Sequence, residues 1–157
     1  ERRERWRPVV DCLGKADDVA DALEEATFMH SLTLTPPCPG LPPTVRAALC
    51  QLAATTLCAI QDLVKAIEIA RQAVHQTDGS DSDLFLQTLW RMLRAERQCD
   101  DLLRQARTTM VRHLHDSPVA FTLASDLAAT LENATDHLLR AGYALREMVL
   151  NKTGAAA

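Results

Sequence analysis

The chain has 157 residues, of which 47% are hydrophobic, 4% aromatic and 24% charged, enough for one domain with a sizeable core. Leu and Ala supply most of the apolar content, and the β-branched and aromatic runs of strands are missing, which excludes an all-β or a disordered chain. With 17 basic against 21 acidic residues the net charge is -4, which excludes a nucleic-acid partner held mainly through its phosphates.

Proline and glycine divide the remainder into four segments rich in helix formers. The first helix is expected over about 5–31, with Pro8 tolerated in its first turn. Its core stripe reads Val9, Leu13, Ala16, Ala20, Leu23 and Thr27, flanked by the line Val10, Asp17, Asp21, Glu24 and Phe28. Prolines 36, 37, 39, 42 and 43 with Gly40 make 35–43 a loop that cannot be helical, and its role is not legible from composition. A second helix follows over about 44–76, with Cys50 and Cys58 two turns apart as small core residues. The uncharged stretch from Ala47 to Gln61 within it is too short to cross a bilayer, so no membrane insertion is expected. A polar turn from Thr77 to Asp83 leads into a third helix over about 82–115. Ser117 and Pro118 then open a fourth helix over about 118–152. Two of the three connections are short, which forces antiparallel neighbours and an all-α, up-down-up-down four-helix bundle in a single domain. The cysteines, Cys12, Cys38, Cys50, Cys58 and Cys99, are odd in number and form no Cys-x-x-Cys pair, so a reduced, cytoplasmic chain is expected.

Acidic residues break the amphipathic pattern in the third helix. Phe85, Leu89, Leu93, Leu103 and Met110 define its apolar stripe, and Glu96 and Asp100 fall inside it, one turn apart. A buried, ionised carboxylate needs a proton, a basic partner or a cation. Arg97, Arg104 and Arg107 stand close enough in sequence to offer the second of these. Asp17 and Asp21 repeat the i, i+4 spacing on the first helix, and Glu132 and Asp136 repeat it on the fourth, beside the stripe of Leu127, Leu131, Leu138 and Leu145. Like charges at this spacing repel unless something cationic lies between them. Oxygen-only donors suit hard or borderline cations.

The segment from Lys15 to Glu25 with its Asp17 and Asp21, the run Ala95-Glu96-Arg97-Gln98-Cys99-Asp100, and the run Leu131-Glu132-Asn133-Ala134-Thr135-Asp136 resemble the PhoU-like phosphate-transport regulators. The resemblance is to the branch associated with low-affinity inorganic phosphate transporters, and it covers nearly the whole chain. It implies a cytoplasmic, non-enzymatic helical bundle, also found peripherally at the inner face of the membrane, that modulates phosphate uptake. It further implies a phosphate transporter or an associated signalling protein as partner, and homo-oligomers. Its Glu/Asp-x-x-x-Asp motifs bind metal clusters, which carries ligand roles over to Asp17 with Asp21, Glu96 with Asp100, and Glu132 with Asp136. Iron leads manganese, magnesium and zinc as the implied ion. Members of this branch usually have further upstream helices with another acidic motif, so such helices are expected to complete the site. The loop over 35–43 has no counterpart in that pattern.

Two other readings stand beside it. A carboxylate-bridged di-metal enzyme would use Glu-x-x-His pairs, and none of His30, His75, His113, His115 and His137 follows a Glu at that spacing. A helical protein-protein docking module would instead hold its buried acids in ion pairs. Cys99, between Glu96 and Asp100, is expected to be a poor nucleophile because nearby negative charge disfavours a thiolate.

Overall fold

A computed structural model describes residues 2–73 and 80–154. Its helices are α1 (Arg2–Thr33), α2 (Pro43–Ala73), α3 (Ser80–His113) and α4 (Pro118–Gly154), each within a few residues of expectation. The expected end of the second helix at 76, the first three residues of the turn that follows and the terminal alanines at 155–157 lie outside the described residues, and the rest of that turn belongs to α3. Pro43 and Pro118 open α2 and α4, where a missing N–H breaks no helical bond. The carbonyls of Pro42 and Ser117 accept the first intrahelical bonds of these helices, from Arg46 at 3.0 Å and Phe121 at 2.9 Å.

Helices α2, α3 and α4 each carry a buried line built on alternating spacings of four and three residues, the pattern that keeps one seam facing its neighbours. In α2 it runs Val45, Leu49, Leu52, Thr56, Ala59, Leu63, Ala66 and Ala70, and in α4 Ala120, Ala124, Leu127, Leu131, Ala134, Leu138, Ala141 and Leu145. In α3 it passes through Phe85, Leu89, Met92, Cys99, Leu103, Ala106 and Met110, and the step between Met92 and Cys99 falls on Glu96. The expected stripes of α3 and α4 are therefore the ones buried.

In α1 the buried line is Cys12, Val19, Ala26 and Thr33, about 100° round the helix from the expected stripe of Leu13, Ala20 and Thr27. Leu13 is 65% exposed. The reason is the number of neighbours. Helices α2, α3 and α4 pack against one another, whereas α1 packs on α4 alone: among the described residues no Cα of α1 comes within 8 Å of α2 or α3. A helix with one neighbour buries one narrow line, so the second apolar stripe of α1 stays on the surface along an open edge beside α2.

Small residues let the inner helices approach. A Cβ added at Gly142 of α4 would stand 3.0 Å from Leu89 Cδ2 and 3.1 Å from Met92 Cε of α3. The 35–42 segment is a loop, as expected, with Pro43 already the first residue of α2 rather than part of the loop, and Gly40 supplies its one left-handed turn at φ 85. That reversal lets Leu41 and Cys38 pack against the core cluster beneath the bundle end.

The residues Pro43–Gln72 of α2 are long and apolar enough to cross a membrane by length and composition alone, a longer stretch than the uncharged run because a span tolerates an occasional charge. In the bundle the same composition serves the seam with α3 and α4 on one side, while Leu57, Val64 and Ile67 remain exposed on the other. Cys50 and Cys58 belong to that outer side and are exposed rather than core residues.

Candidate functional site

Two apolar clusters fill the two ends of the bundle, one around Leu63, Met92 and Leu138 and the other around Leu52, Leu103 and Met110. A polar layer separates them. Thr56 of α2 and Thr135 of α4, each 1% exposed, bring their hydroxyls to 3.1 Å, and Cys99 Sγ of α3 lies 3.4 Å from Thr135 Oγ1. Spare valences are met by main chain: Thr56 Oγ1 reaches the Leu52 carbonyl at 3.0 Å and Thr135 Oγ1 that of Leu131 at 3.2 Å. A satisfied layer of this kind costs little and penalises any slip of one helix along another, since a slip would set hydroxyls against leucines.

The acids stand at the same level, on the α3–α4 seam. Because these helices run antiparallel, Glu132 meets Asp100 and Glu96 meets the field of Asp136, so two Glu-x-x-x-Asp motifs form one quartet. Burial raises the Glu96 carboxyl above its ordinary value, and the charges of Asp100 and Asp136 raise it further. Glu132 is raised by burial first, then by the charges of Asp100 and Asp136 and by sharing a hydrogen bond with Asp100. In its protonated form Glu132 is the donor of that bond and Asp100 the acceptor. Each aspartate also meets an arginine one turn on: Arg104 Nη2 stands 3.3 Å from Asp100 Oδ2, and Arg140 Nη2 is 2.6 Å from Asp136 Oδ2.

Those arginines reveal a signal that composition and wheel-plotting missed. The sequence Glu96 to Arg104 and the sequence Glu132 to Arg140 both read Glu-x-x-x-Asp-x-Leu-Leu-Arg. Folded antiparallel, the two copies face each other beside Cys99 and Thr135, so the Glu of each copy stands toward the Asp of the other. Comparing the acidic runs residue by residue would have exposed the repeat, including its basic ends. Arg107, one of the basic partners that the sequence offers these acids, is exposed.

The first helix contributes differently. Asp17 and Asp21 are exposed, and none of the charges acting on Glu96 or Glu132 comes from α1. The acid that turns inward is Asp18. Its carboxylate accepts from Lys15 Nζ at 2.7 Å, and this bond, ahead of the opposing effect of burial, holds it below its usual range, helped by the charges of Lys15, His137 and Arg140. His137 Nδ1 is a buried atom without a hydrogen bond among the described residues, 3.5 Å from Asp18 Oδ2. A line of polar side chains therefore runs from Asp18 of α1 through His137 and Arg140 to Asp136.

Chemically, the quartet is an oxygen-only donor set of the sort hard cations take. Among the described residues, however, no three His, Cys, Asp or Glu side chains converge as a ready-made ion cage. Guanidinium groups stand against Asp100 and Asp136 in that role, and the raised carboxyls of Glu96 and Glu132 favour protonation there. Cys99 is fully buried, and burial is the first cause that raises its thiol, with the Glu132 and Asp100 charges adding to it against the hydrogen bonds of Thr135 and Thr56. It is held as a thiol. No family model, curated protein or solved structure matches the chain.

Proposed function

We propose that this chain is a non-enzymatic, cation-responsive regulator of inorganic phosphate transport, of the kind that the resemblance to PhoU-like proteins implies. One observation supports it above the others: the two Glu-x-x-x-Asp motifs, separated by 36 positions (132 minus 96), meet across α3 and α4 as a half-buried quartet. Four carboxylates at one seam repel, and three agents relieve that repulsion: protons, arginines or a metal ion. In this reading Glu96, Asp100, Glu132 and Asp136 hold a divalent or trivalent ion, iron first and manganese, magnesium or zinc after it. Ligation requires Glu96 and Glu132 to lose their protons and turn toward the ion, releasing Asp100 and Asp136 from Arg104 and Arg140. The freed Arg140 guanidinium, already 54% exposed, would then be offered to an acidic surface of a phosphate transporter or its signalling partner, while Arg104 keeps its 2.7 Å pair with Asp101. Asp17 and Asp21 remain a separate exposed pair on α1, available to a second ion completed by another chain or segment.

The ion-pair arrangement itself favours a second reading, a docking module in which Arg104 and Arg140 neutralise the aspartates permanently and no metal enters. Elemental analysis after reconstitution with iron, manganese, magnesium and zinc, on the natural chain and on a Glu96→Gln, Glu132→Gln variant, separates the two. Near-stoichiometric metal that disappears in the variant supports the regulator. Equal, negligible metal in both sinks it and leaves the docking module. Phosphate uptake by cells carrying either form then tests the transport link, and uptake indifferent to the variant despite lost metal would remove that link alone.

A further inference from the structure

The open edge between α1 and α2 deepens, at the bundle end that carries the 35–42 loop, into a groove of about 890 Å³. Its floor is Leu127 and Leu131 of α4, its walls are Leu23 of α1 and Leu49 and Ala53 of α2, and the segment 39–42 closes the end. Three basic side chains line it there: His30 in the last turn of α1, Arg46 in the first turn of α2 and His113 at the end of α3. No Asp or Glu lines it, in a chain that carries 21 of them. None of the three basic side chains has an ion-pair or hydrogen-bond partner among the described residues.

We propose that this groove binds a single-chain amphiphile, its hydrocarbon tail along Leu23, Ala53 and Leu131 and its anionic carboxylate or phosphate head at Arg46, His30 and His113. The charge pattern is the argument. An apolar trough with one guanidinium and two imidazoles at one end, and no carboxylate, matches a ligand that is apolar along its length and negative at one tip, and the guanidinium forks onto either head group. Both imidazoles add N–H donors. The size agrees: small-molecule pockets run about 300–1,000 Å³. A docked helix about 10 Å across would fill this volume within roughly 11 Å, about two turns, too little for a stable helical partner. The site lies apart from the α3–α4 quartet and does not depend on metal.

Binding is read from the emission of a dansylated undecanoate probe and its displacement by decanoate, decyl phosphate and decanol. Arg46→Glu removes the head contact, Ala53→Trp fills the trough from an exposed position, and Lys65→Glu, exposed and farther along α2, is the charge control. We expect decanoate or decyl phosphate to displace the probe at least tenfold more effectively than decanol, Arg46→Glu to erase that preference, Ala53→Trp to abolish binding and Lys65→Glu to change neither. The relative strength of decanoate and decyl phosphate tells which head the site prefers. Equal displacement by decanol, equal loss in Lys65→Glu, or no probe binding overturns the proposal. So does a dimer in light scattering that Ala53→Trp converts to monomer, since the groove would then be covered by a second copy.

Discussion

The α3–α4 seam and the α1–α2 edge are built from helices of similar length and composition, yet they differ in almost every physical respect. The seam is closed, close enough at Gly142 to bring Leu89 Cδ2 within 3.0 Å of an added Cβ, and acids cross-paired between helices occupy its middle. The edge is open, apolar along its walls and basic at one end. Closing a seam commits its polar groups to satisfying one another, which suits a site governed by protonation or by an ion. Leaving an edge open spends no such groups and leaves apolar surface for something else to cover.

The contrast can be broken by mutation, and the largest effect belongs to the closed side. Leu138→Ala, at a residue 1% exposed, is expected to cost about 2–5 kcal/mol in urea unfolding. Leu13→Ala, at a residue 65% exposed on the open side, should stay within about 0.5 kcal/mol. Equal losses would mean that α1 has a neighbour on that side in solution. Next comes the close approach: Gly142→Leu drives a side chain into Met92 and Leu89 and should lose about 1–3 kcal/mol, whereas Gly14→Leu, with nothing within 4 Å of an added Cβ, should lose none. The polar layer is smaller. Thr135→Val removes the 3.4 Å contact to Cys99 and leaves Thr56 with main-chain acceptors, for about 1 kcal/mol.

The pH dependence sharpens the comparison without removing a contact. Folding raises the carboxyls of Glu96 and Glu132, so the native state binds more protons than the unfolded chain between their ordinary and their raised values. Their contribution is therefore fully present below the unfolded value near 4.3 and is lost as pH rises through the folded values. Thermal melts of the natural chain should show less stability from these groups at neutral than at mildly acid pH, and Glu96→Gln, Glu132→Gln should flatten that fall. A slope unchanged in the variant would show that the quartet does not carry it. The smallest expected effect is at Arg91, whose Nε lies 2.8 Å from Asp62 Oδ1 in a half-exposed pair between α2 and α3. Arg91→Ala should cost no more than about 1 kcal/mol, and less in high salt.

Much of this was legible before folding was considered. Proline and glycine marked the helix ends, and a wheel placed Glu96 on the buried line of α3 because α3 has neighbours on that line and no other choice. The same wheel misplaced α1. Two apolar lines share that helix, and only a contact with α4 alone decides which is buried. Asp17 and Asp21 drew notice by spacing, but Asp18 is the acid that faces another helix, where it meets His137.

Local chemistry is what the sequence by itself determined: four helices, their turns, and acids at a spacing that sets like charges on one face. Tertiary structure decided which motifs meet. Antiparallel pairing of α3 with α4 turned two copies of one short pattern into a crosswise quartet, because residues far apart in the chain fall at one level when helices reverse. The contact between α2 and α4 across the bundle left α1 a single neighbour, and that choice, invisible to any one helix, opened the groove.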